Sequence, residues 1–142
     1  MFGKYNYIVV PFITIVLTQI IKFIIESIQN KRLSWNRLFN GSGGMPSSHS
    51  AVVTSLATLI GKNEGFDSGL FAVSLIFACV VMYDAAGVRR AAGKQAKLLN
   101  KIVQTPGLSK VEVSEKLVEA LGHTPIQVIV GAVIGVVAGL IF

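Results

Sequence analysis

The stretch GGMPSSHSAVVTSLATLIG, residues 43–61, decides the fold. Glycines, a proline, three serines and one of the chain's two histidines lead into a short run of apolar and hydroxyl residues. If 50–61 is membrane-embedded, the chain is a four-helix membrane protein and its loops alternate between two sides. If it is a loop, the alternation fails.

The rest of the chain argues for a membrane. Of 142 residues, 52% are hydrophobic and 14% charged, above the apolar share and below the charged share of soluble domains. The apolar residues come in blocks, at 7–28, 69–88 and 125–142. Each approaches the roughly 20 residues that cross a hydrocarbon core of about 30 Å. A lysine ahead of the first block imitates a signal peptide, but the block is too long and lacks a small-residue cleavage pattern, so it reads as a retained helix. The single cysteine, Cys79, lies in the 69–88 block with no partner for a disulfide and reads as a small buried hydrophobe.

The net charge of +6 is distributed by loop. Lys31, Arg32 and Arg37 lie between the first block and 50–61; Arg89, Arg90, Lys94, Lys97, Lys101, Lys110 and Lys116 lie between the last two blocks. No aromatic residues are interleaved with them, which argues against a nucleic-acid partner. The positive-inside rule places both basic connections in the cytoplasm and the amino terminus outside, provided 50–61 crosses. Its 12 residues span only about 18 Å at 1.5 Å per residue, so the sequence predicts a recessed helix mouth or a locally thin membrane. Irregular backbone at that depth must line protein or a water-filled cavity, which makes GSGGMPSSH the lining of a pocket open to the cytoplasm.

Residues 89–121 are patterned too. Arg90, Lys94, Lys97 and Lys101 recur at helical spacing, with Leu98, Leu99, Ile102 and Val103 on another face. This predicts a helix leaving the membrane with a basic stripe against anionic lipid head groups, whose first turn could also hold a phosphate. Thr105, Pro106 and Gly107 break it, and Ser109 with Glu112 forms a capping-box pattern. A cytoplasmic amphipathic helix is therefore predicted up to Leu121, ended by Gly122.

Each histidine sits at a predicted helix start. Before His49 stand Pro46, Ser47 and Ser48, preceded by glycines that let backbone amides converge. Around His123, Thr124 reads as an N-cap, Pro125 as the first helical residue and Gln127 as the completion of a capping box. Two helix starts with Arg89 and Arg90 nearby make an anion site. One imidazole could attack phosphorus while the other protonates the leaving oxygen; equally, each could simply cap its helix.

PSSH at 46–49, YDAAGVRRAAGKQAKLLN at 83–100 and LGHTPIQVIVGAVIG at 121–135 together resemble the type 2 phosphatidic acid phosphatase superfamily, which also contains the vanadium haloperoxidases. Across essentially the whole chain the likeness is to its small, divergent membrane branch. The resemblance implies His123 as a nucleophile that becomes phosphorylated, His49 as the acid for the leaving group, and Ser47, Ser48 and backbone amides as phosphate ligands. Three departures stand out. The residue four after His123, usually an orienting aspartate, is Gln127. Arg89 and Arg90 precede His123 by more than 30 residues, where the superfamily arginine lies close by. The first motif has only Lys22 and Arg37 as candidates.

Lys22 also has a structural reading, as the partner of Glu26 one turn on. Asp84 could pair with Arg89 or Arg90, orient a histidine, or help hold a metal. Gly131, Gly135 and Gly139 recur every fourth residue and permit close helix contact within the chain or between two copies in a homodimer.

These readings predict one domain, 1–142: an all-α integral membrane helical bundle with about four membrane-embedded helices and a cytoplasmic amphipathic helix. It would be a lipid-phosphate or prenyl diphosphate phosphatase with a cytoplasm-facing pocket, its substrate held by Ser47, Ser48, Arg89, Arg90, Lys22, Arg37 and Lys94, with Asp84 and Gln127 orienting. The scheme calls for no metal or cofactor. The rival reading is a non-catalytic membrane protein that binds anionic lipid or a partner in the same pocket.

Overall fold

The computed structural model describes residues 6–30, 44–104, 117–119 and 121–142. It is all-α among these residues: α1 (Asn6–Asn30), α2 (Ser48–Glu64), α3 (Gly69–Ala86), α4 (Val88–Gln104) and α5 (Pro125–Ile141). The segments Asn6–Gln29 and Gly69–Gln104 are long and apolar enough to cross a membrane, while α5 is apolar but shorter.

The stretch at 43–61 folds around α2, and α2 is longer than its apolar run suggests. Its 17 residues rise about 26 Å at 1.5 Å per residue, because the polar Ser48, His49, Lys62, Asn63 and Glu64 are helical too. Ser47 caps its start and Gly65, at φ +97°, ends it. This corrects the expected 12-residue helix.

α2 sits at the centre of the bundle, packed against α5, α1 and α3. Ten of its residues are buried, from Ser50 to Gly61. A helix shielded on several sides by other helices need not match lipid, which is why α2 carries hydroxyls. Those hydroxyls are satisfied locally: Thr54 and Thr58 donate to the carbonyls of Ser50 and Thr54, each at 2.8 Å, and Ser55 donates to Val52 O at 2.8 Å.

The outer helices show the inverse pattern. On α1, Val10, Thr14, Thr18 and Lys22 recur every fourth residue and are buried, while Ile8, Phe12, Val16, Ile20 and Ile24 are exposed. On α3 only the small Ser74, Ala78 and Ala85 are buried, and Leu70, Val73, Ile76, Phe77 and Val80 face outward. Small residues inward and large apolar residues outward suit helices that pack on each other in lipid. Cys79 belongs to the outward set: it is exposed, not buried as its sequence context suggested.

The glycine repeat on α5 lies against α2. A Cβ on Gly131 would strike Ser47 O, one on Gly135 would strike Ala51 O and Thr54 Oγ1, and one on Gly139 would lie 2.7 Å from Thr58 Cβ. Thr54 Oγ1 also donates across the interface to Ala132 O at 3.0 Å. The stripe is therefore used within the chain. At the far end, Lys62 Nζ donates to Leu140 O at 3.0 Å, at the negative end of α5, and Tyr7 Oη donates to Glu64 Oε1 at 2.7 Å.

α4 buries Gly93, Ala96 and Asn100 and exposes Lys94, Lys97, Lys101, Leu98, Leu99 and Ile102. The helix expected up to Leu121 is not found over 117–119, which carry no helical structure; 105–116 and 120 lie outside the described residues. Residues 117–119 instead lie against α4. Asn100 donates to Leu117 O at 2.8 Å and accepts from Leu117 N at 3.0 Å.

Candidate phosphate site

The site forms where α2 and α5 begin and α3 ends. Gly44, at φ +87°, lets the chain pass over α1 where a Cβ would lie 2.7 Å from Glu26 Oε1 and 2.9 Å from Lys22 Cε. Lys22 itself is only 4% exposed. It is thereby brought under the PSSH loop, as the first-motif candidate had to be. Arg37, the other candidate, lies outside the described residues.

Ser47 is fully buried, and its hydroxyl caps α2, accepting from Ser50 N at 3.4 Å and Ser50 Oγ at 2.9 Å. Its backbone N–H donates to Gln127 O at 3.0 Å. That bond ties the start of α2 to the first turn of α5. Ser48, half-buried, is the first residue of α2, and His49 follows it, exposed at the mouth.

His123 reaches the same place from the other side. Its N–H donates to Ala85 O at 2.9 Å, pinning it to the end of α3. Gly122, at φ +83°, lets the chain press on α4, where a Cβ would run into the backbone of Arg90. The sequence assigned Gly122 to a helix end; close approach to α4 is what it provides. Behind His123, α5 starts with the predicted Thr124 N-cap, Pro125 and a full capping box, in which Gln127 Oε1 accepts from Thr124 N at 2.9 Å.

The two imidazoles face each other edge to face, with ring centroids 6.4 Å apart and an interplanar angle of 70°. His123 is 6% exposed, and among the described residues neither of its ring nitrogens has a hydrogen-bond partner. A buried polar atom without a partner costs free energy unless something fills the role. Burial first, and then the charges of Lys22, His49 and Arg89, lower its pKa to about 4. It is thus a neutral base at ordinary pH.

Arg89 is paired with Asp84, Nε to Oδ2 at 2.5 Å, the first of the three roles considered for that aspartate. The contact uses Nε and leaves the terminal amino groups of the guanidinium outside it. Arg90 contributes backbone against Gly122, and Lys94 is exposed one turn further along α4. The side-chain oxygen of Gln127 is spent on the cap. The structure thus gathers Lys22, Ser47, Ser48, His49, Arg89 and His123 at one end of the bundle, with the N-termini of α2 and α5 supplying positive dipole ends. What the sequence offered no sign of is the Ala85 carbonyl as the anchor of His123.

No solved structure matches the chain. It is 44% identical over 138 residues to the uncharacterized membrane protein YuiD of Bacillus subtilis (strain 168), an alignment covering 89% of this chain and 87% of the relative. A family model described as the divergent PAP2 family matches residues 4–138, so the motifs gathered at this end of the bundle belong to a member of the divergent PAP2 family.

Proposed function

We propose that the protein is a multi-pass membrane phosphatase that hydrolyses a lipid phosphate or prenyl diphosphate in a pocket on the cytoplasmic side. The observation that carries the reading is the facing pair His49 and His123, one exposed at the mouth and the other buried with both ring nitrogens unpartnered among the described residues. A nucleophile needs its reacting atom about 3–3.5 Å from phosphorus, and a general acid needs the leaving oxygen within about 2.6–3.2 Å. The ring centroids lie 6.4 Å apart, so both imidazoles border the same mouth and are within reach of one phosphoryl group there.

In this scheme a ring nitrogen of His123 donates its electron pair to phosphorus, and the bond from phosphorus to the ester oxygen breaks. Protonated His49 gives its proton to that oxygen, releasing the lipid alcohol from a monoester or the prenyl monophosphate from a diphosphate. Water then attacks the phosphohistidine, His49 takes its proton, and the nitrogen–phosphorus bond breaks to free phosphate and restore both imidazoles. Ser48, the first-turn amides of α2 and Arg89 hold the phosphoryl oxygens, while Ser47 builds the loop. Hydrocarbon lies against the apolar faces of the helices. A basic patch of Arg90, Lys94, Lys97 and Lys101 favours a cytoplasmic orientation.

The alternative, anion binding without turnover, draws on one observation: among the described residues no carboxylate bonds His123, since Gln127 is occupied in its cap and Asp84 in its pair with Arg89. One experiment separates the two. Phosphate release from a panel of lipid phosphates and prenyl diphosphates is measured with detergent-purified protein, His123→Ala and His49→Ala. The proposal expects turnover by the parent chain and none by His123→Ala. Activity that survives His123→Ala refutes the nucleophile, and lipid binding without turnover supports the alternative. A cysteine at Lys94 that labels from the outer face of intact cells refutes the orientation.

A further inference from the structure

His123 is held by a strap rather than by a helix. After Leu117 the chain runs back along α4: Leu117 meets Asn100, a Cβ on Gly93 would lie 2.6 Å from Leu121 O and 2.9 Å from Glu119 O, and Gly122 presses on Arg90. The described residues 117–119 and 121–122 therefore meet α4 at both ends, at Asn100 and at Arg90.

Asn100 is the fastener at the far end. It is 6% exposed, inside a helix, where asparagine is disfavoured relative to alanine and burial adds the cost of its amide. That amide is fully engaged: Nδ2 donates to Leu117 O at 2.8 Å and to Glu119 Oε1 at 2.9 Å, while Oδ1 accepts from Leu117 N at 3.0 Å. Pairing with both the N–H and the C=O of one residue fixes register as a neighbouring strand does. A one-residue slip carries the strap about 3.3 Å, comparable to the whole approach distance of a nucleophile.

We propose that Asn100 is a positioning residue for His123, acting through the register of Leu117 and Glu119 on α4. The proposal rests on the phosphatase reading only for its kinetic arm. Asn100→Asp removes the donor to Leu117 O and sets a carboxylate against Glu119; adding Glu119→Gln restores a donor across that contact. Asn100→Leu removes all three bonds while keeping the branching of the side chain.

Two readouts test it on the full chain in detergent. The first needs no turnover: diethyl pyrocarbonate modification of His123 is followed by peptide mass, with exposed His49, which is not on the strap, as internal reference. Asn100→Leu and Asn100→Asp should speed His123 modification severalfold relative to His49, and Asn100→Asp with Glu119→Gln should reverse much of it. The second is turnover: kcat should fall about 100-fold, as for misplacement of a reacting group by about 1 Å, with KM within about twofold. Unchanged His123 reactivity in Asn100→Leu that still folds overturns the proposal. A parent chain without turnover refutes the phosphatase reading and leaves the reactivity test intact.

Discussion

Gly131 and Gly139 sit on one face of α5, eight residues apart, or about 12 Å along the helix, and their substitution by alanine separates the packing of the bundle from the shape of the site. At Gly139 the new Cβ would stand 2.7 Å from Thr58 Cβ and 2.8 Å from Ser55 O, where ordinary carbon contacts lie at about 3.5–4.0 Å. The helices must part by on the order of 1 Å, an overpacking cost of about 1–3 kcal/mol. Gly131→Ala meets a similar obstacle, but the obstacle is Ser47: its carbonyl oxygen directly, and its carbonyl carbon and Cβ at 3.1 Å. Ser47 caps α2 and bonds Gln127 O. Both variants should therefore lower the unfolding midpoint in detergent, by about 2–12 °C, while Gly131→Ala alone should weaken sulfate binding measured by titration calorimetry, about tenfold for each 1.4 kcal/mol of distortion reaching the mouth. Equal loss of sulfate binding in the two variants refutes the argument, because Gly139 touches nothing in the site. A change in oligomer mass with unchanged midpoints also refutes it, since the stripe would then serve contacts between copies.

Three other outcomes follow from single contacts. Thr54→Val removes the interhelical bond to Ala132 O and should cost about 0.6–1.7 kcal/mol, read by chemical unfolding in detergent. Asp84→Asn should alter stability by no more than about 1 kcal/mol, because its pair with Arg89 is partly exposed; freeing the guanidinium should nonetheless change KM for a lipid phosphate. Lys22→Met removes one of the positive charges that lower the pKa of His123, so that pKa should rise from about 4 towards the ordinary histidine value, measured by NMR titration of the imidazole.

The sequence made the helices legible wherever a helix meets lipid. The outward faces of α1 and α3 are continuous apolar surface, and hydropathy reads such surface directly. α2 was undersized because hydropathy is blind to its situation: hydroxyls such as Thr54 and Ser55 are buried and satisfied by carbonyls, and the polar His49 and Lys62 lie inside the helix ends. The capping box at Thr124 and Gln127 was readable because a cap is a local contact, whose partners stand three residues apart. The strap was not, because Leu117 pairs with a side chain 17 residues away, and the segment's amphipathic spacing fitted a helix equally well. Cys79 was misplaced for a related reason: in a bundle facing lipid, an apolar residue in the middle of a span carries no preference for the inside.

With no carboxylate bonded to His123 among the described residues, its activation takes another route. An aspartate beside an imidazole orients it and stabilises its charged form; here burial and the neighbouring charges of Lys22, His49 and Arg89 act in the opposite sense, and the pKa lies at about 4. The free base is fully available at neutral pH, but as a weak base. An incoming phosphoryl dianion supplies the negative charge that the protein omits: beside His123 it offsets the cations and favours the imidazolium. Binding of an anion must therefore raise the pKa of His123, and by linkage the lower pKa of the empty site makes anion affinity grow as pH falls. Sulfate isolates the effect, because it keeps its charge from pH 7 to pH 4. Its affinity should rise steadily across that range, and His123→Ala should remove the lower part of the rise while His49→Ala leaves that part in place. An affinity profile that His123→Ala does not alter near pH 4 would mean that His123 does not face the bound anion, and the reading of the two histidines as partners across one phosphoryl group would fail with it.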